Sequence, residues 1–160
     1  MIKAPYQIVK LPDETVTNVP LPPLLGELKE LAISELHRRL HEEGYPEIRA
    51  GHGCVFRFID EEGSRVTDLA EAAGYTKQAV SEVVAELEQL GYVERVPDPE
   101  DGRAKTIRLT DSGRKAQAAG LRIFAEIEGR WTEEFGEERI AQLRETVEQL
   151  IAAERGAVPA

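Results

Sequence analysis

The sequence predicts a mainly α fold with a small β-wing, and three observations carry that prediction. Apolar residues recur at three- and four-residue steps through most of the chain, as they do along one face of a helix. A short glycine turn, Gly74-Tyr75, separates two helical stretches. Directly behind them two brief alternating segments flank a run of turn formers, Pro97-Asp98-Pro99-Glu100-Asp101-Gly102, which reads as a hairpin.

The elements follow in order. Residues 1–23 are punctuated by Pro5, Pro12, Pro20, Pro22 and Pro23, and an extended arm is expected there. From residue 24, Leu24, Leu25, Leu28, Leu31, Ala32, Leu36 and Leu40 mark an amphipathic helix that ends near Gly44 and Tyr45-Pro46. A shorter helix over Gly53 to Asp60 is expected from Val55, Phe56 and Ile59, and with the preceding helix it makes a segment 24–63. Segment 64–115 changes rhythm. Thr67 is expected to cap a short helix through Ala73, and Thr76 a second one, in which Val80, Val83, Val84 and Leu87 form the inner stripe up to Gly91. The strands Tyr92 to Val96 and Thr106 to Leu109 come next, with Ile107 and Leu109 facing in, Thr106 and Arg108 facing out. Segment 116–160 completes a long helix begun after Thr110, containing Ala116, Ile123, Phe124, Ile127 and Trp131. A last helix follows, whose Ile140, Leu143, Val147, Leu150 and Ile151 sit at near-heptad spacing, as in helices that pack on another helix.

Bulk composition narrows the class. At 160 residues, 41% hydrophobic and 31% charged, the chain suits one compact unit with appended helices and not wholesale disorder. No apolar run approaches the roughly 18 residues of a spanning helix. The opening MIKAPYQIVKLPDETV interleaves charge and proline where a signal peptide would be apolar, so a cytoplasmic location away from the membrane is expected. The single cysteine, Cys54, excludes an intrachain disulfide. The formal charge of −10 is uneven: segments 1–63, 64–115 and 116–160 carry −4, −2 and −4. The middle segment is the least acidic, yet it is not basic, so any contact with an anion depends on where its cations stand.

Their placement is suggestive. A glycine turn between two small helices lets the second protrude, and a helix of about 10 Å width fits the major groove of DNA. Thr76, Lys77, Gln78 and Ser81 occupy its leading end: glutamine can pair with adenine, serine both donates and accepts, and lysine reaches phosphate or guanine. The amide ends of the helices at Thr67 and Thr76 are expected to hold phosphates. Glu82, on the same face, is read as accepting from cytosine or as facing water, and water is preferred. In the hairpin, Asp101 and Arg103 stand two apart, so the carboxylate can orient the guanidinium for a minor groove, with Lys105 behind it.

The stretch LAEAAGYTKQAVSEVVAELEQLGYVERVPDPEDGRAKTIRLTDSGRKA, Leu69 to Ala116, resembles the winged helix-turn-helix core of MarR-type transcriptional regulators. The resemblance rests on the Thr76-Lys77-Gln78 opening, the Leu90-Gly91-Tyr92-Val93 exit, Asp101-x-Arg103-x-Lys105 in the wing and the Leu109-Thr110 strand end. It implies a homodimer built from the N- and C-terminal helices, bound to a pseudo-palindromic double-stranded DNA operator. Such a protein is usually a repressor released by a small ligand or by oxidation. The family likeness places small aromatic or phenolic effectors in a cleft among the helices, and His37, His41, His52 and Phe56 are the candidates to line it.

Three rival readings are weighed beside this one. Cys54 as an oxidation switch is set against an inert buried thiol, and the inert thiol is preferred because no cation is assured nearby. His37 and His41, four apart, together with His52 and Cys54 include the residue types of a metal site, but nothing local supplies their convergence, so neither metal nor cofactor is assigned. A winged helix that binds a protein instead of DNA remains the alternative, favoured by the net charge. An enzyme is not expected: the chain holds no HExxH, GxSxG, phosphate-loop or paired CxxC motif.

Overall fold

Pro20 holds an extended backbone (φ −56°, ψ 146°) and the chain then enters helix α1, Leu21–Glu42. In the computed structural model, which describes residues 19–98 and 104–157, α1 therefore begins three residues before the sequence reading placed it. The reason is positional. Pro22 and Pro23 fall in the first turn, where backbone N–H groups have no intrahelical acceptor, so proline there starts a helix and does not break it. The remainder of the expected arm, residues 1–18, lies outside the described residues.

The chain divides into two compact units at Ala50–Gly51. In the first, α1 buries Leu36 and Leu40 and leaves Leu21, Leu24, Leu28 and Leu31 exposed. The helix closes by bonds from the Glu43 N–H to the Arg39 carbonyl (2.9 Å) and from Tyr45 to Leu40 (2.8 Å). On its outer side Arg38 bridges Glu35 at 2.9 Å and Glu42 at 2.6 Å.

A 3-10 turn, Ala50–His52, opens at the boundary and leads into α2, Gly53–Phe56, in the second unit. This helix is shorter than the Gly53–Asp60 expected. The Asp60 N–H is taken by the Ser64 hydroxyl (2.9 Å), which turns the chain before another helical turn can close. Val55 and Ile59 are nevertheless buried as their spacing required. Helix α3, Val66–Ala73, and helix α4, Lys77–Gln89, follow, separated by Gly74, Tyr75 and Thr76. Gly74 has φ 68°, a conformation glycine adopts without the Cβ penalty, and the Tyr75 N–H then reaches back to the Ala70 carbonyl at 3.0 Å.

Strands β1, Val93–Pro97, and β2, Lys105–Leu109, form a two-stranded antiparallel sheet in which Val93 faces Leu109 and Pro97 faces Lys105. Ser64 adds a bridge to Ile107 through bonds of 2.8 and 2.9 Å, tying the start of the helix-turn-helix to the sheet. Thr110 caps α5, Asp111–Phe135, by accepting from the Gly113 N–H at 3.1 Å, as its sequence position suggested. The same hydroxyl donates to the Gly91 carbonyl at 2.6 Å, joining the exit of α4 to the start of α5. Helix α6, Glu137–Ala157, follows after Gly136.

The core of this unit is formed by Val55, Leu69, Val80, Val84, Leu87, Ile107 and Ile123, each no more than 1% exposed. Helix α4 lies at its centre, in contact with α2, α3 and β1. With this much of one face locked, the direction of the other face is set.

Candidate nucleic-acid interface

Helix α4 starts at an N-cap, Thr76, whose hydroxyl oxygen accepts from the Ala79 N–H at 3.2 Å. Thr76, Lys77, Gln78 and Glu82 are exposed, and Ser81 is half-buried at their side. The structure thus gathers the four residues singled out from the sequence at the leading end of α4, with Gln78 on the face opposite Val80, Val84 and Leu87 and Lys77 and Ser81 on its flanks. Two details were not legible. The Ser81 hydroxyl donates to the Lys77 carbonyl at 2.7 Å, so it faces any further partner as an acceptor. Glu82 does not only face water: it accepts from the Gln78 side-chain amide at 3.3 Å and joins it in one polar unit.

Thr67 does not have the expected role. The N-cap of α3 is Arg65, and Thr67 lies in the first turn with its hydroxyl donating to the Asp68 carboxylate at 3.2 Å. The bridge between Ser64 and Ile107 holds the backbone extended up to Arg65, and the helix starts as soon as that constraint ends. Asp68 already supplies a negative charge in the first turn, the place where a helix N-terminus favours one.

In the wing, Lys105 is exposed at the start of β2, while Asp101 and Arg103 lie outside the described residues. Thr106, expected to face out, is buried instead. Its hydroxyl donates to the carboxylate of Asp98 at 3.1 Å, and the same oxygen, Oδ2, accepts from Arg65 Nε at 2.7 Å. In the sequence Asp98 reads only as a turn former. The signal that could have found the cluster is a buried-strand threonine eight residues after an aspartate, at the closing end of a hairpin. Two further arginines are tied to carboxylates: Arg95 to Glu88 of α4 at 3.1 Å, and Arg108 to Glu94 across the sheet at 2.8 Å. Exposed pairs of this kind contribute at most about 1 kcal/mol.

The residues expected around an effector divide between the two units. His37 and His41 stand on α1, half-buried and exposed respectively. His52 belongs to the second unit, where it is 1% exposed and points Nε2 at Glu86 Oε2 of α4, 3.3 Å away. Phe56 is half-buried and meets the Tyr92 ring edge-on, with centroids 6.2 Å apart and planes at 68°. Gln117 of α5 donates to the Phe56 carbonyl at 2.7 Å. Cys54 is half-buried, where full burial was expected, and donates to the Gly51 carbonyl at 3.2 Å. Desolvation raises its pKa above the ordinary thiol value, so the thiol form is favoured over the reactive thiolate. Among the described residues no group of three or more His, Cys, Asp or Glu side chains is placed to hold a metal ion, and no helix is long and apolar enough to cross a membrane.

A helix-turn-helix followed at once by a two-stranded wing defines the winged helix-turn-helix class. Residues 49–104 match the MarR family. The transcriptional regulator HosA of Escherichia coli O127:H6 is 32% identical over 126 residues, which cover 78% of this chain and 89% of that protein. The chain belongs to the MarR family of transcriptional regulators, and neither the family nor these relatives are enzymes. Among solved structures, the Staphylococcus aureus MepR–DNA complex superposes with a TM-score of 0.70 at 23% identity, covering 85% of this chain and 99% of that one. MepR bound to ethidium bromide, also from S. aureus, gives a TM-score of 0.57 at 23% identity over 84% and 96% of the two chains. At those identities the likeness speaks for the fold.

Proposed function

We propose that this chain is a sequence-specific DNA-binding regulator that acts in the cytoplasm as a homodimer on a pseudo-palindromic operator. It represses transcription until a small effector releases it. The observation that carries this reading is the leading end of α4, where Thr76, Lys77 and Gln78 are exposed on a helix whose opposite face is fully buried. A helix so held can enter a major groove without losing its packing. Gln78 and Ser81 would then face base edges, Lys77 a base or phosphate, and the amide ends near Thr67 and Thr76 the sugar-phosphate backbone. The wing would place Arg103, oriented by Asp101, toward the adjacent minor groove, with Lys105 on the backbone. That MepR, of similar fold, has been solved with DNA supports the assignment.

The segment roles follow the same reading: 64–115 binds DNA, and helices in 24–63 and 116–160 serve dimerisation, the former also the effector. Support for the dimer is the apolar surface left exposed on α1 (Leu24, Leu28, Leu31) and on α6 (Leu143, Leu150, Ile151). Support for a small aromatic effector is the solved complex of MepR with ethidium, and His37, His41, His52 and Phe56 are the residues proposed to respond to it.

The test is fluorescence anisotropy with a duplex selected from a random pool, at two salt concentrations beside a scrambled duplex. Tight, selective binding that weakens with salt is expected. Arg103→Ala is expected to weaken it while the oligomer stays intact. Equal, weak, salt-indifferent binding of both duplexes would overturn the reading and leave the winged segment to a protein partner, an alternative that the −10 net charge favours.

A further inference from the structure

We infer that Arg65 is an additional contact to the DNA backbone, held in its binding orientation by the buried carboxylate of Asp98. The inference rests on the DNA-binding reading above and adds to it a residue at the wing's base.

The geometry separates this ion pair from its neighbours. In Arg95–Glu88 and Arg108–Glu94 both partners are similarly exposed, at 34% and 40% and at 47% and 46%, so each pair is a side-by-side surface contact. In Arg65–Asp98 the carboxylate side chain is 6% exposed and the guanidinium side chain 42%. The anion is inside and the cation reaches the surface, so the pair presents a positive group outward. Asp98 is itself immobilised. One of its oxygens accepts from both Arg65 Nε (2.7 Å) and the buried Thr106 hydroxyl (3.1 Å), and its N–H donates to the Ala104 carbonyl at 3.1 Å. Arg65 is held from the backbone side as well, since the preceding residue, Ser64, exchanges two hydrogen bonds with Ile107.

An arginine fixed through Nε loses less side-chain freedom when a phosphate arrives than a free surface arginine does, and its planar fork suits phosphate oxygens. Arg65 is also the N-cap of α3, the end of a helix toward which anions are drawn. It therefore adds a cation at the helix end whose amides near Thr67 the sequence reading assigns to phosphate. Asp98 is the positioning residue: it does not approach the duplex, and acts through the direction it gives Arg65.

The test uses the full chain and a selected operator, titrated by anisotropy over a series of salt concentrations, with thermal unfolding followed for every variant. Arg65→Ala is expected to lower affinity about 10-fold on operator and scrambled duplex alike, and to reduce the slope of log affinity against log salt by about 0.9, the signature of one lost phosphate contact. Arg65→Lys should keep the slope and lose part of the affinity. Asp98→Asn, which retains an acceptor for Thr106, should weaken binding several-fold with the slope unchanged. An Arg65→Ala variant that keeps the wild-type slope overturns the contact, whether or not its affinity falls, and a lowered melting temperature would then assign Arg65 to wing stability alone. Tighter binding by Asp98→Asn overturns the positioning role, since the carboxylate would then be acting only as a competitor of phosphate. If the wild-type chain binds no duplex selectively, the regulator reading fails first and this inference with it.

Discussion

Helices α4 and α6 carry apolar residues at comparable helical spacing, and the structure treats them in opposite ways. Val80, Val84 and Leu87 of α4 are completely buried, whereas no described side chain of α6 is buried and Leu143, Leu150 and Ile151 stand 42–47% exposed. The difference lies in what surrounds them. Helix α4 is enclosed by α2, α3 and β1, while the main packing partner of α6 among the described residues is α5, with Arg144 paired to Glu128 at their contact. A period of three and four residues declares that a helix has an apolar face, but it does not declare that the same chain covers that face.

The comparison can be broken at either end. Leu87→Ala should cost about 3 kcal/mol, because a fully buried leucine leaves a cavity that its rigid neighbours cannot fill, and chemical denaturation would read it. A loss under about 1 kcal/mol would mean that the α4 face is not the core it is taken for. At the other end, if the proposed dimer uses α6, the double variant Leu143→Glu with Leu150→Glu should leave helical content unchanged in circular dichroism and raise the dissociation constant of that dimer about 100-fold, near 3 kcal/mol, in sedimentation experiments. An unchanged dimer would remove α6 from the interface.

The junction between the two regions offers a sharper probe. Gly113, in the first turn of α5, packs so closely on the Tyr92 carbonyl oxygen that a Cβ would overlap it. Gly113→Ala should therefore destabilise the second unit by about 2 kcal/mol, measured by thermal unfolding, although alanine is the better helix former. Thr76→Ala should cost about 1 kcal/mol by removing the bond to the Ala79 N–H, and should loosen the leading turn of α4 more than its core, which amide exchange would resolve. The smallest effect is expected at Cys54. Its raised pKa keeps it as thiol, so alkylation at neutral pH should run slower than for a free thiol and quicken as pH rises, and peroxide should leave duplex binding unchanged.

Much of the candidate interface is legible in the sequence because local rules govern it. Thr76 and Thr110 are caps because a threonine before an apolar-periodic run satisfies an amide that nothing else would. Val80, Val84 and Leu87 follow from the helical period, and Gly74 from the need to turn between two helices with φ positive. Thr67 was misread by the same cap rule. Ser64 pairs with Ile107, forty-three positions along the chain, and that contact moves the start of α3. Thr106 was misread by strand alternation, because Asp98 and Arg65 make a polar site on the inner side of the sheet and draw it in.

The sequence by itself determined the order of elements, the protruding polar face of α4, and the membership in a family of regulators that its Thr76-Lys77-Gln78 and wing residues announced. Each of these depends on neighbours within a few positions, whose hydrogen bonds and apolar spacing are fixed by backbone geometry. Tertiary structure alone decided that Arg65 is held by Asp98, that His52 is buried against Glu86, and that Gln78 is joined to Glu82 on the exposed face of α4. The first two are pairs 33 and 34 positions apart, and whether such groups meet depends on how helices and sheet pack. The third is local, yet a side chain with several staggered rotamers reveals its partner only once the neighbouring surface is built.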